Sequence, residues 1–185
     1  MVDLLLEAKR LSELNSLSGY KKAISQFPVI HNPSPANIKR GHLYASCKYN
    51  YSHDYPPEIL DYLDSYPLQL IVEVKAPDHF YAINLHRVNV LPRNFIINRL
   101  KTMFPMAFKP NSKFTNQLNI TFNTVTAIMK KASNACMQYR FDRIEKIYEI
   151  PFDKWNEISQ YAPPTYHNVD VAAFMEYLKK SKSRI

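Results

Sequence analysis

The stretch LQLIVEVKAPDHFYAINLH, Leu68–His86, decides the fold of this chain of 185 residues. Its first part, Leu68–Lys75, is a run of aliphatic and β-branched side chains that is typical of a buried strand. A second run, His79–His86, follows after Ala76-Pro77-Asp78, and proline and aspartate favour turns. The stretch therefore predicts an antiparallel β-hairpin.

Two further segments predict strands outside the hairpin. His42–Tyr51 has an alternating pattern typical of a strand. It places Leu43, Ala45, Cys47 and Tyr49 on one face and His42, Tyr44, Ser46 and Lys48 on the other. The segment RIEKIYEIP, 143–151, also has the composition of a strand. Together with the hairpin, these segments predict a sheet of three or four strands.

Amphipathic spacing predicts helices before, between and after the strands. The first covers Val2–Leu17 and is expected to end near Gly19, because glycine is common where helices stop. Phe27–Gly41 is rich in proline, so we expect an arm without regular structure there. Three more helices are predicted at 121–131, 153–161 and 169–180.

One helix carries most of the functional expectations. Proline fits the first turn of a helix, so Pro92 is expected to open a helix that ends near Phe104. Four of its apolar side chains are expected to face the core, namely Phe95, Ile96, Leu100 and Met103. Its basic residues would then spread around the exposed arc.

These elements predict an α+β fold with a small antiparallel sheet or a curled barrel, flanked by N-terminal and C-terminal helices. We expect one domain over 1–185. Within it, 1–40 would form the N-terminal helix and proline-rich arm, 41–150 the sheet-containing core, and 151–185 the C-terminal helices.

The composition narrows the possible chemistry. Hydrophobic residues make up 46% of the chain, which allows a packed core, but there are only two glycines. No glycine-rich phosphate-binding motif is present. None of the six histidines has HxxxH spacing and neither cysteine has a CxxC partner, so we predict no metal and no cofactor.

The two cysteines, Cys47 and Cys136, also lack a nucleophile signature. We expect both to be reduced thiols of a cytoplasmic protein. No segment approaches the ~20 consecutive apolar residues of a membrane span, so no membrane contact is expected.

One acidic pattern keeps an enzyme among the alternatives. Asp61 or Asp64, followed by Glu73 and Lys75 in a strand, has the order found in metal-dependent nucleases, where carboxylates hold Mg²⁺. The same Glu-x-Lys also arises by chance on the polar face of a strand. We therefore keep a Mg²⁺-dependent nuclease as the third alternative and predict no catalytic residue.

The charges are segregated along the chain, and the net charge is +8. No acidic residue occurs from 79 to 141, or from 14 to 53. Segregation of this kind produces a positive electrostatic potential over one face of the protein. Such a potential favours contact with DNA or with an acidic protein. A solvated basic surface is the plainer alternative. The candidate binding residues are Arg87, Arg93, Arg99, Lys101, Lys109, Lys113, Lys130 and Lys131.

A polar box surrounds the hairpin. Its residues are Tyr62, Asp64, Tyr66, Pro67, Asn84 and His86. We interpret the box as structural, with Asp64 accepting hydrogen bonds from backbone, histidine or arginine groups rather than performing chemistry.

Four blocks of this sequence, in order, carry a resemblance to a known family. They are GHLYASCKYNY from Gly41, LDYLDSYPLQLIVEV from Leu60, NLHRVNVLPRNFIINRL from Asn84, and CMQYRFDRIEKIYEIPFDKW from Cys136. They resemble a family of uncharacterised proteins of large contractile-tailed bacteriophages. That family has a Gly-x-x-Tyr strand, a Tyr-Asp-x-[Phe/Tyr]-Pro-Leu box, an Asn-Leu-His block before an arginine-bearing helix, and a later block with cysteine, Tyr-Arg and tryptophan.

The resemblance implies a phage protein of the particle or of its DNA-handling machinery. Our first hypothesis is a non-enzymatic structural or assembly protein whose basic face contacts DNA or an acidic partner. The alternative is a DNA-binding protein of replication, packaging or DNA-end protection. Expected partners are other phage proteins, in a symmetric assembly, and DNA. The expected location is the host cytoplasm during assembly and then the virion.

Overall fold

The structure is a computed structural model and describes residues 4–52, 64–75, 77–109 and 118–163. Its α-helices in these residues are α1 Leu4–Leu14, α2 Leu17–Ile24, α3 Val90–Met103, α4 Phe122–Ile128 and α5 Trp155–Ile158. Its strands are β1 Val29–His31, β2 Leu43–Ser46, β3 Leu68–Lys75, β4 His79–Asn84, β5 Cys136–Arg140 and β6 Lys146–Ile150. This is an α+β fold, as predicted.

The six strands of the described residues form one antiparallel sheet in the order β1-β6-β2-β3-β4-β5. The edge strands β1 and β5 lie at opposite ends of that order and do not pair, so the sheet stays open. The expectation of a small antiparallel sheet is therefore confirmed, and the alternative of a curled barrel is wrong.

The predicted hairpin is present as β3 and β4. Its ladder shifts register between Ile71, which pairs with Ala82, and Glu73, which pairs with Tyr81. This bulge inserts Val72 as an extra residue, and an extra residue reverses which face the following side chains occupy. As a result, Val72 belongs to the hydrophobic core on one face of the sheet, and Val74 packs against the hydrophobic core on the opposite face.

Both faces of the sheet are covered. The larger core lies between the sheet and the helices, and it includes Leu70, Ile83, Ile97 and Trp155. The smaller core on the opposite face is largely aromatic and includes Tyr44, Tyr49, Phe80, Tyr139 and Phe141. Burial on both faces explains why β3 reads as an almost continuous apolar run.

The sequence predicted at most four strands. The sheet has two more than that, and both are edge strands. β1 lies inside the segment that was expected to be an irregular arm, where it pairs with β6. β5 was not predicted, because Cys136–Arg140 has neither a clear apolar run nor strict alternation. Prolines near β1 are tolerated because an edge strand needs hydrogen bonds on one side only.

The first predicted helix ends earlier than expected, and Gly19 lies inside a second helix that was not predicted. α1 ends at Leu14, and α2 begins at Leu17 with Ser16 as its cap, whose Oγ accepts a hydrogen bond from the Gly19 amide at 2.9 Å. A Cβ atom on Gly19 would collide with the carbonyl oxygen of Glu13. Glycine is needed there because the two helices approach closely.

α3 begins and ends close to the predicted positions but is rotated about its axis. Its buried side chains are Arg93, Ile96, Ile97 and Leu100, which recur at the spacing of one helical face. Phe95 and Met103 were expected to face the core, but they are 50% and 49% exposed. That part of the prediction is wrong, because Arg93 and Ile97 occupy the inward positions.

The later helices are shorter than expected. Thr121 and Thr124 form a capping box at the start of α4, which ends at Ile128 and is followed by a 3-10 helix over Lys130–Ala135. α5 has four residues after a 3-10 turn. The helix predicted at 169–180 lies outside the described residues. No helix in the described ranges is both long enough and apolar enough to cross a membrane.

Candidate functional site

Asp64 is the centre of the polar box. One carboxylate oxygen accepts a hydrogen bond from the Tyr66 amide at 3.0 Å. The other accepts hydrogen bonds from Asn84 Nδ2 at 3.1 Å and from His86 Nδ1 at 2.9 Å. Asp64 thus accepts hydrogen bonds from backbone and histidine groups, as the sequence predicted.

Asn84 and His86 are held in place by a local turn at the end of β4. Asn84 caps the 3-10 turn Leu85–Arg87, and its Oδ1 accepts a hydrogen bond from the His86 amide at 3.0 Å. The hydrogen bonds of the box therefore connect the residues just before β3 to the residues at the end of β4 and just after it. Pro67 is buried just before β3, whereas Tyr62 lies outside the described residues.

Tyr20 is a member of this region that the sequence analysis missed. Its ring meets the His86 ring edge-on, with centroids 4.9 Å apart, and its side chain is fully buried. Burial raises the pKa of Tyr20, and the nearby Asp64 carboxylate raises it further. Tyr20, Ala23 and Ile24 form the buried face of α2, so recognising that helix would have identified Tyr20.

Arg93 was predicted to contact DNA or a partner, and this prediction is wrong. Its side chain is buried, and it donates hydrogen bonds to the carbonyl oxygens of Val88, Ser159 and Tyr161 at 2.6–3.2 Å. Burial lowers the pKa of Arg93 to about 10, which still leaves the guanidinium charged at neutral pH. Arg93 therefore joins α3 to the segment that follows α5.

The Asp64–His86 pair has the composition of an acid–base dyad but not its accessibility. The exposed fractions of the two side chains are 0% and 1%. A general base must reach the proton that it removes, directly or through one water molecule. The arrangement favours a structural role, in which each donor around Asp64 gains an acceptor inside the protein.

The acidic pattern considered for a nuclease does not form one site. Asp64 is buried before the start of β3, whereas Glu73 is exposed near the other end of that strand. Glu73 lies 3.7 Å from Lys75 in an exposed ion pair. Asp61 lies outside the described residues. Among those that are described, no group of three or more histidine, cysteine, aspartate or glutamate side chains could hold a metal ion.

The remaining basic candidates differ in exposure. Arg99, Lys109, Lys130 and Lys131 are exposed, and Arg87 and Lys101 are half-buried. The Lys101 ammonium lies 5.8 Å from the centroid of the Phe108 ring. Lys113 falls outside the described residues. Most of these cations therefore lie on α3, on the chain after it, and after α4, which packs against α3.

The exposed side of α3 is apolar as well as basic, which the sequence analysis did not foresee. Leu91, Phe95, Arg99 and Met103 recur every four residues, so they line one side of the helix. Leu91 is 81% exposed, and Phe95 and Met103 are each about half exposed. We call these four residues the α3 surface.

One open cleft of the described chain has a volume of about 500 Å³. Its lining includes Asn32, Asn50, Asp142 and Arg143. Hydrogen bonds from the Arg140 guanidinium hold the pKa of Asp142 below its usual value. Cys47 and Cys136 are both free thiols, and neither lines this cleft.

Comparison with known proteins adds no relationship. No protein-family model matches the sequence, no curated protein is significantly similar to it, and no solved structure matches its fold.

Proposed function

We propose that this chain is a non-enzymatic structural or assembly protein of a tailed bacteriophage, and that it binds another protein through the α3 surface. The sequence blocks that resemble the phage family supply the biological setting. The structure supplies physical support for a binding role rather than a catalytic one.

The observation that carries the proposal is the burial of Asp64 and His86. They are the residues of the opening stretch that most resemble catalytic groups, and their side chains are 0% and 1% exposed. Their hydrogen bonds connect the two ends of the β3–β4 hairpin. The residues that suggest chemistry therefore serve the fold.

The α3 surface supports protein binding because it combines exposed apolar side chains with a cation. Large apolar residues that are grouped and exposed mark interaction sites, whereas single ones are common on any surface. Leu91, Phe95 and Met103 supply the apolar area, and Arg99 lies between the last two. No acidic residue occurs from 79 to 141, so the surroundings of the α3 surface are basic. We therefore expect the partner to present an apolar patch that is surrounded by acidic residues.

Mass spectrometry of purified particles tests this proposal. The chain should be found among the proteins of gradient-purified particles at a reproducible copy number. Its absence from particles, in cells that express it during infection, would contradict a structural role.

DNA binding is the second candidate, and the cations after α3 and α4 favour it. Phosphate contacts by several cations should make the affinity fall steeply with salt, with a slope of log K of about −0.9 for each contact. Replacing both Lys130 and Lys131 by glutamine should then reduce the slope. If the wild-type protein does not bind DNA at low salt, this candidate is excluded.

A further inference from the structure

Two half-buried phenylalanine rings, Phe108 and Phe152, lie next to each other. Their centroids are 5.1 Å apart and their planes are almost perpendicular. The buried Trp155 ring supports both, because it stacks on Phe152 with centroids 4.9 Å apart and meets Phe108 edge-on at 5.0 Å. The two phenylalanine rings therefore have fixed positions, and part of each remains exposed to solvent.

Lysine side chains lie on the Phe108 side of this pair. The Lys101 ammonium is 5.8 Å from the centroid of the Phe108 ring, a distance at which the ring still attracts a cation. Lys109 follows Phe108 in the chain and is exposed. Phe108 therefore lies among basic side chains.

Basic side chains also lie on the Phe152 side of the pair. His42 meets the Phe152 ring edge-on, with centroids 5.0 Å apart. His42 lines a cleft together with Lys39 and Arg40, both of which are exposed. Cations thus lie on both sides of the two rings. We call the following residues the basic stripe: Lys39, Arg40, Phe152, Phe108, Lys101 and Lys109.

The net charge of the basic stripe is positive, although two carboxylates lie beside it. Asp153 follows Phe152 and is exposed. Glu149 accepts a hydrogen bond of 2.7 Å from His42 Nδ1. The four cations of the stripe outnumber these two carboxylates, so this surface attracts a polyanion.

A positive surface with partly exposed rings matches the chemistry of a single-stranded nucleic acid. Proteins bind single strands by combining cations along the phosphate backbone with aromatic side chains on which unpaired bases stack. The bases of a duplex are already stacked on one another, so the rings offer a duplex no additional contact. The presence of phenylalanine among the cations therefore favours a single strand over a duplex.

We infer that the basic stripe binds single-stranded nucleic acid, with Phe108 and Phe152 as stacking surfaces and the four cations as phosphate contacts. The inference gives the DNA-binding candidate a strand form and a site. It does not depend on the protein-binding role proposed above. Lys101 lies about 120° around the helix axis from Phe95, so the stripe and the α3 surface occupy different sides of α3.

The experiment titrates the full chain into a fluorescently labelled oligonucleotide of mixed sequence and measures anisotropy at low salt. The duplex of the same sequence is titrated in parallel. The single strand should bind at least about tenfold more tightly, because only unpaired bases can stack on the rings. Equal or tighter binding of the duplex would overturn the inference but not DNA binding in general. Absence of binding to both would overturn the two together.

Removal of one ring tests the stacking contact. Phe108→Leu keeps an apolar side chain at this position and should weaken binding of the single strand at least about fivefold, with little effect on the duplex. Phe95→Leu, in the α3 surface, is the matched control and should bind like the wild-type protein. Circular dichroism verifies that both variants are folded. Wild-type affinity of a folded Phe108→Leu chain would overturn the inference.

Removal of two cations tests the phosphate contacts, and it decides the question even if Phe108→Leu does not fold. For a single strand, the slope of log K against log salt changes by about 0.7 for each phosphate contact. The chain with both Lys101→Gln and Lys109→Gln should therefore show a shallower slope. The chain with both Lys9→Gln and Lys22→Gln is the control, since it loses the same charge at exposed positions of α1 and α2. Equal slopes for these two variants would overturn the inference.

Discussion

Asp64 and His86 are 22 residues apart in the sequence, and the Asp64 carboxylate accepts a hydrogen bond of 2.9 Å from His86 Nδ1. The two side chains are buried together between the start of one central strand and the end of the next. Because the same carboxylate also accepts hydrogen bonds from Asn84 and from the Tyr66 backbone, it fixes how the hairpin begins and ends. This relationship supports our interpretation that a segment with catalytic-looking residues has a structural role.

The first prediction concerns that carboxylate. Asp64→Ala should lower the free energy of unfolding by about 3 kcal/mol, since it leaves several buried donors without an acceptor. Asn84→Ala should have a smaller effect, about 1–2 kcal/mol. Chemical denaturation of the purified variants measures both losses.

Asp142→Ala is the control for Asp64→Ala. Asp142 is exposed and pairs with Arg140 at the surface, so its loss should cost less than about 1 kcal/mol. If Asp64→Ala unfolds like the wild-type protein but loses its biological role, the box is a functional site and our interpretation is wrong.

The second prediction separates two arginines on α3. Arg93→Ala should destabilise the protein by about 3 kcal/mol or more, because three carbonyl groups, two of them in buried hydrogen bonds, lose a charged donor. Arg99→Ala should change stability by less than about 0.5 kcal/mol, because Arg99 is exposed. Thermal melting of both variants makes the comparison. Equal melting temperatures would mean that the Arg93 contacts do not stabilise the fold.

The third prediction concerns acid. Glu149 accepts a hydrogen bond of 2.7 Å from His42 Nδ1, and this hydrogen bond lowers the pKa of Glu149 below its ordinary value of 4.5. Between the folded-state pKa of Glu149 and pH 4.5, the folded protein therefore binds fewer protons than the unfolded chain. The resulting stability is fully present above pH 4.5 and is lost as the pH falls through the folded-state pKa.

Glu149→Gln should therefore flatten the loss of stability below pH 4.5, as measured by urea unfolding at a series of pH values. Other carboxylates with lowered pKa values, such as Asp78 and Asp142, remain in both proteins and cancel in the difference. Identical pH profiles for the two proteins would show that the His42 contact does not stabilise the ionised glutamate.

The fourth prediction uses the two thiols. Burial raises the pKa of the Cys136 thiol, and the Glu73 carboxylate adds to the increase. Because the thiolate is the reactive form, Glu73→Gln should speed the alkylation of Cys136 at pH 8. Cys47 in the same chain is the internal control, and mass spectrometry of peptides follows both. An unchanged ratio of the two rates would show that Glu73 does not influence Cys136.

The central hairpin was predictable because its pattern is local. β3 has the predicted limits, since a run of buried aliphatic residues ends at exposed Glu73 and Lys75. The function of Asp64 as an acceptor was also predictable, because a carboxylate beside a buried strand needs donors. Which donors it has depends on the pairing of β3 with β4, and the partners lie about twenty residues away.

The orientation of α3 was not predictable from its own sequence. Apolar residues occur all around the helix, so Phe95 and Met103 are as suitable for the core as Ile96 and Ile97. Arg93 takes an inward position because the carbonyl groups of Ser159 and Tyr161 accept hydrogen bonds from it there. Those groups come from the far end of the chain, and no pattern within α3 indicates them.

Particles assembled with the wild-type chain should be purified and compared with particles assembled with the Phe95→Asp chain. We expect the wild-type chain to be a stoichiometric component of the particles. The Phe95→Asp chain should fold normally but be strongly depleted from the particles. The Asn89→Asp chain is the control, because Asn89 is exposed just before α3, and it should be incorporated normally. Normal incorporation of the Phe95→Asp chain would contradict binding through the α3 surface, and absence of the wild-type chain from particles would contradict a structural role.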